Sequence, residues 1–96
     1  MAFLFLSIHY PKPAHRDDVL RSMERVGETL RGAPGLLRIG PWKEEKGSRI
    51  VGLSIWESRE AFERALAPFG AGAGDRSSWE ERPAEEIFAE QSAPSP

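Results

Sequence analysis

The chain has 96 residues, of which 40% are hydrophobic and 29% charged, with thirteen basic and fifteen acidic side chains and a net charge of −2. That length holds one domain with one core; such a domain buries only roughly 60–65% of its unfolded surface, so pairing with a second copy would help it. No basic block offers itself to nucleic acid or to an anionic membrane surface, and the absence of cysteine excludes disulfides, thiolate nucleophiles and zinc–thiolate sites, which fits a reducing cytoplasm.

Residues 1–10, MAFLFLSIHY, lack the positive start and the small-residue cleavage site of a signal peptide. No stretch approaches the roughly 20 apolar residues of a membrane span. The first ten residues therefore read as a strand over 2–10. Phe3, Phe5, Ser7 and His9 fall on one face, and Leu4, Leu6, Ile8 and Tyr10 on the other. Pro11 and Pro13 end it.

A helix is predicted over 14–30, with Asp17 and Asp18 favouring its N-terminal dipole and Val19, Leu20, Met23, Val26 and Leu30 as its apolar stripe. Gly27 lies on that stripe and predicts a close approach to the sheet. Gly32, Pro34 and Gly35 break the helix. A second strand spans 36–43, and Gly40-Pro41 within it argues for an edge position or a bulge. A turn through Lys46-Gly47 leads to a third strand at 49–56. Ser58 then caps a second helix whose face is Ala61, Phe62, Ala65, Leu66 and Phe69. Residues 70–74, GAGAG, read as a flexible loop. A polar segment with Trp79 follows, then a last strand over 84–90 and a disordered tail over 91–96. Residues 1–90 thus make a single domain.

The order β-α-β-β-α-β is that of a ferredoxin-like α+β fold, an antiparallel four-stranded sheet with both helices on one face. Strands one and three form its central pair. Leu4, Leu6 and Ile8 with Val51, Leu53 and Ile55 make an aliphatic face, while Phe3, Phe5, Ser7 and His9 with Ile50, Gly52, Ser54 and Trp56 make a mixed one. The mixed face suits the helices, where polar groups and a glycine leave a cavity. The aliphatic face suits a second sheet and predicts a homodimer packed sheet to sheet. The pattern by itself also permits the opposite assignment of faces.

Residues 54–66, SIWESREAFERAL, resemble the strand-to-helix signature of dimeric α+β barrel proteins, and within them the antibiotic biosynthesis monooxygenase (ABM) domain group. The βαββαβ order, the APG turn at 33–35 and the chain length agree with that resemblance. The family includes cofactor-free quinone-forming monooxygenases and haem-degrading monooxygenases. In the haem-degrading members a tryptophan ending the third strand matches Trp56, an asparagine in the first strand matches Ser7, and a histidine after the second helix ligates iron. Here there is no histidine after His15, which argues against haem degradation. For the quinone-forming members Trp56 is the residue that carries over.

Each candidate has a functional and a structural reading. Trp56 would line the pocket mouth and position an aromatic ligand, or else lock the second helix onto the sheet with its N–H satisfied. His9 would act as a general base, or else be a hydrogen-bonded histidine at a strand end. Phe5, Ser7, Ser54 and Phe62 complete the expected substrate-binding set. Neither serine has a GxSxG elbow or an evident His–Asp partner, so both read as local hydrogen-bonding groups that enlarge the pocket. His15 reads as solvated, and two histidines so placed form no metal site. Trp42 and Trp79 are expected to cap the core edges, with a lid or a dimer contact open to Trp79. Glu80-Glu81 and Glu85-Glu86 read as solvated faces. The expected function is a cofactor-independent monooxygenase acting on a small aromatic or polyketide-like molecule, with no cofactor and no metal. Its rival is a non-catalytic small-ligand-binding or accessory protein on the same scaffold.

Overall fold

The structure is a computed structural model that describes residues 1–69 and 78–93, Phe69 by its backbone alone. The predicted GAGAG loop, Phe69 as a face residue and the end of the tail lie outside the described residues. Four strands, β1 (Phe3–His9), β2 (Leu36–Lys43), β3 (Ile50–Trp56) and β4 (Glu85–Glu90), make one sheet in the order β2-β3-β1-β4. Every pairing is antiparallel. Helix α1 (Arg16–Leu30) follows β1 after a 3-10 turn at Pro13–His15, and α2 (Arg59–Leu66) follows β3. This is the ferredoxin-like fold, with β1 and β3 at its centre.

Both helices lie on the mixed face. Phe3, Trp56, Leu30 and Ala61 form one buried cluster, and Val19, Met23 and Ile50 a second. Leu4, Leu6, Ile8, Val51, Leu53 and Ile55 point the other way and remain only half-buried in a single chain. Trp42, expected to cap the core edge, instead lies on this open face opposite Val51 and is exposed, with the Arg38 guanidinium 5.8 Å from its ring. Trp79 does cap the core, against the Val19, Met23 and Ile50 cluster.

Strand β2 is an edge strand with an irregularity between Leu36 and Arg38, as Gly40 and Pro41 demand of a strand that cannot donate along its whole length. At the β2–β3 turn, Arg49 grips the Glu44 carboxylate through Nε and Nη2 at 3.0 and 2.8 Å, and these hydrogen bonds hold Glu44 below the ordinary carboxylate pKa. Ser58 caps α2, its hydroxyl accepting the Ala61 N–H at 3.1 Å. At the far end of β4 the Gln91 N–H donates to the Ala2 carbonyl at 2.8 Å, so the ladder runs one residue into the predicted tail.

Gly35 fixes how α2 docks. Its φ of +86° lies in the left-handed region, and a Cβ there would sit 2.5 Å from the Ala61 Cβ. Its carbonyl also accepts the Glu57 N–H at 2.8 Å. Gly35→Ala combines left-handed strain of about 1–2 kcal/mol with an overpacking cost of about 1–3 kcal/mol. Urea denaturation is expected to show a loss of at least about 2 kcal/mol.

Candidate functional site

Between the sheet and the helices lies a cavity of about 260 Å³. One end is apolar, walled by Phe5, Val26, Leu30, Ile39, Phe62 and Leu66. The rings of Phe5 and Phe62 lie 5.4 Å apart there, and Phe88 of β4 joins them at 4.9 and 6.0 Å. The other end is polar and carries Ser7, His9 and Glu86, while the Ser54 hydroxyl sits within the apolar end, on β3 between Phe5 and Ile39. The size lies just below the roughly 300–1,000 Å³ usual for small-molecule sites, so the occupant is small.

Two glycines shape this space. A Cβ on Gly52 would lie 2.6 Å from the Ser7 hydroxyl and 2.8 Å from the Met23 methyl, so glycine is what lets both groups sit beside β3. Gly27 overturns its expectation. A Cβ there would meet nothing within 4 Å, so the helix makes no close approach to the sheet; the glycine instead leaves the cavity wall open. Gly27→Ala is therefore expected to stabilise the fold by up to about 1 kcal/mol through helix propensity. Gly27→Phe should fold yet lose ligand binding, measurable by calorimetric titration.

The polar end is a chain of hydrogen bonds. A carboxylate only accepts, so His9 donates its Nδ1–H to Glu80 Oε2 at 3.2 Å. In the neutral ring the other nitrogen, Nε2, then accepts, and the Ser7 hydroxyl, 2.9 Å away, donates to it. Glu80 is the residue that sequence reasoning missed. Read as part of a solvated face, its side chain is only 7% exposed. It is held by the crossing of two segments. Lys12 N–H donates to the Trp79 carbonyl, Glu81 N–H donates to the Tyr10 carbonyl, and Pro11 and Glu80 form an isolated bridge. The second carboxylate oxygen accepts the Tyr10 N–H at 3.0 Å. Seventy-one positions separate Glu80 from His9, and no local spacing marks the pair; Trp79, the one large apolar residue in its segment, was the nearest signal.

The sequence-predicted site residues divide. Phe5, Ser7, His9, Ser54 and Phe62 all line the cavity. Trp56 does not. It is fully buried beside Phe3 and Ala61, and its indole N–H donates to the Ser54 hydroxyl at 2.9 Å. It lies behind the cavity wall rather than at a mouth, because the strand end is closed over by α2. Having accepted that N–H, Ser54 keeps its own O–H as a donor, whereas Ser7 has spent its proton on His9 and offers lone pairs. The two serines thus give the cavity an acceptor and a donor beside its aromatic wall. His15, expected to be solvated, stacks on Trp79 with centroids 6.2 Å apart, and its Nδ1 lies 2.9 Å from Asp18 Oδ2. Among the described residues no cluster of three or more His, Cys, Asp or Glu side chains could hold a metal, and no helix is long and apolar enough to cross a membrane.

Comparison with known proteins adds the family. A search among curated proteins gave no significant match. The solved structures of similar fold include Rv0793 from Mycobacterium tuberculosis, with a TM-score of 0.82 and 13% identity over all of both chains. They include a mutant of SnoaB, a cofactor-independent oxygenase from Streptomyces nogalater, with a TM-score of 0.75 and 18% identity over 99% of this chain and 97% of that one. PA3566 from Pseudomonas aeruginosa has a TM-score of 0.75 and 14% identity over 96% of this chain and 95% of that one. Identities this low speak for the fold alone. Residues 1–67 match the family model described as Antibiotic biosynthesis monooxygenase, a stretch that holds Phe5, Ser7, His9, Ser54, Trp56 and Phe62 and stops short of Glu80. With 67 of 96 residues under that model, the chain belongs to the antibiotic biosynthesis monooxygenase family.

Proposed function

We propose that the protein is a cofactor-independent monooxygenase for a small aromatic or polyketide-like molecule held between sheet and helices. The observation that carries this reading is the cavity itself, aromatic at one end and hydrogen-bonding at the other, with a buried histidine on its polar wall. A flat ring system fits against Phe5 and Phe62. An acidic O–H or C–H of the ligand meets Ser7 and His9, and a carbonyl accepts from Ser54. Trp56 acts as a positioning residue, since its N–H fixes the Ser54 hydroxyl.

The chemistry then follows from the substrate. Once an activated methylene has lost a proton to the His9 side of the site, the resulting carbanion is electron-rich enough to pass an electron to dioxygen. Recombination forms a C–O bond, and the hydroperoxide loses water to leave a carbonyl. The sum is R₂CH₂ + O₂ → R₂C=O + H₂O, with the substrate oxidised and oxygen reduced. The protein binds, excludes water and holds the proton. The working unit in this proposal is a homodimer joined through the aliphatic sheet face.

The test is oxygen uptake with anthrone and a panel of hydroquinones and hydroxylated polycyclic ketones, with the quinone product followed by its absorbance. Turnover above the spontaneous rate supports the proposal. Tight binding without oxygen uptake across the panel overturns it in favour of a binding or accessory role on the same scaffold.

A further inference from the structure

We propose that Ser7, His9 and Glu80 form a proton relay, in which Ser7 is the group that meets the ligand and Glu80 is the positioning residue that sets the His9 tautomer. The inference deepens the monooxygenase reading by naming the proton path, and it rests on that reading only for what happens after the proton has left.

Four observations carry it. The chain of contacts is continuous, from Ser7 Oγ to His9 Nε2 at 2.9 Å and from His9 Nδ1 to Glu80 Oε2 at 3.2 Å. All three side chains are more than nine-tenths removed from solvent, with Ser7 9%, His9 5% and the Glu80 side chain 7% exposed, so water does not compete for the ring nitrogens. Glu80 is fixed independently of His9, by the Tyr10 N–H and by the backbone bridge between residues 10–12 and 79–81. Ser7 and His9 both line the cavity, and Gly52 leaves the room that the Ser7 hydroxyl occupies.

The arrangement has a direction. Glu80 can only accept, which in the neutral ring puts the proton on Nδ1 and leaves the lone pair on Nε2 facing Ser7. The Ser7 proton points at that lone pair, so its oxygen lone pairs are left for a ligand. When an acidic O–H or C–H donates to Ser7 Oγ, the ligand proton moves to Oγ as the Ser7 proton moves to Nε2. The ligand is left as its anion, Ser7 is unchanged, and His9 becomes an imidazolium whose charge lies beside the Glu80 carboxylate. No electron moves and no bond other than those to hydrogen changes. Ser7 lies on a central strand paired on both sides, so its amide is committed to the sheet ladder rather than free to hold an oxyanion beside its own hydroxyl. The same three residue types therefore serve here as a base rather than as an acyl-transfer nucleophile.

Two measurements decide it. Long-range ¹H–¹⁵N spectra of histidine-labelled protein should show His9 as the Nδ1–H tautomer, with Glu80→Gln shifting the ring toward the Nε2–H form and Glu80→Asp largely restoring it. A wild-type Nε2–H tautomer, or one indifferent to Glu80→Gln, overturns the relay. The second measurement is anaerobic exchange of the anthrone methylene protons in D₂O. The wild type should accelerate it, and Ser7→Ala and Glu80→Gln should each lower that acceleration by about 10²-fold while the anthrone dissociation constant stays within about threefold. Exchange that survives both substitutions also overturns the relay. Exchange without oxygen uptake leaves the relay standing and removes the oxygenase reading.

Discussion

Replacing His9 with alanine is expected to lower kcat for oxygen uptake by about 10²- to 10³-fold, within the range found for losing a positioned general base. The substitution removes the ring nitrogen to which Ser7 passes its proton when the ligand donates to Oγ. Substrate should still bind, because the aromatic wall of Phe5 and Phe62 is untouched, so KM should change far less than kcat. The same change leaves the Glu80 carboxylate buried without its ring partner, at a cost of about 1–3 kcal/mol. A urea titration beside the kinetic assay separates the two effects, since a merely destabilised enzyme recovers its rate per folded molecule. Trp56→Phe is the informative companion. It keeps an aromatic in the buried cluster and removes only the N–H that fixes Ser54, so its kinetic effect should be nearer tenfold. A larger loss in Trp56→Phe than in His9→Ala would move the chemistry away from the histidine.

How far the sequence discloses such a site depends on the range over which each signal acts. The alternation of Phe3, Phe5, Ser7 and His9 against Leu4, Leu6 and Ile8 is local, and the period of two sorts these residues onto two faces, of which the packed helices cover the mixed one. Ser58 and Gly35 are equally local, one a cap and the other a left-handed turn. Five of the six residues expected at the site come together in the cavity because they share that one face. Trp56 shares it too, but a face is longer than a pocket, and α2 closes over the strand end before the cavity begins. The period of two tells which residues share a side of the sheet and not how deep each one lies. Glu80 could not be read at all. Its partner is fixed by a bridge between segments 70 residues apart, and its neighbours Glu81 and Arg82 look like any solvated run. Gly27 was misread for a related reason: a glycine on an apolar stripe marks either a close contact or an open space, and only packing distinguishes them.

The same local alternation leads to the second large effect, at the open sheet face. Leu6 and Leu53 lie directly opposite one another at the middle of the aliphatic set, flanked by Leu4, Ile8, Val51 and Ile55. Toward the two edges, Trp42 and Ile87 extend the apolar surface and are 51% and 48% exposed in a single chain. A continuous apolar sheet face of this kind is an aggregation hazard unless something covers it, and a second copy offers the same branched side chains for interdigitation. Leu53→Glu would bury an unpaired carboxylate at the centre of that contact, at a cost of several kcal/mol. The dimer should weaken by at least about 10³-fold, giving a monomer at micromolar concentration by light scattering. Because so small a domain is marginal alone, its melting temperature should fall as well and should no longer depend on protein concentration. Thr29→Glu, on the exposed face of α1, should leave the mass unchanged. A wild type that is itself monomeric at micromolar concentration would refute the sheet-to-sheet pairing, and the aliphatic face would then have to be covered by a partner other than its own copy.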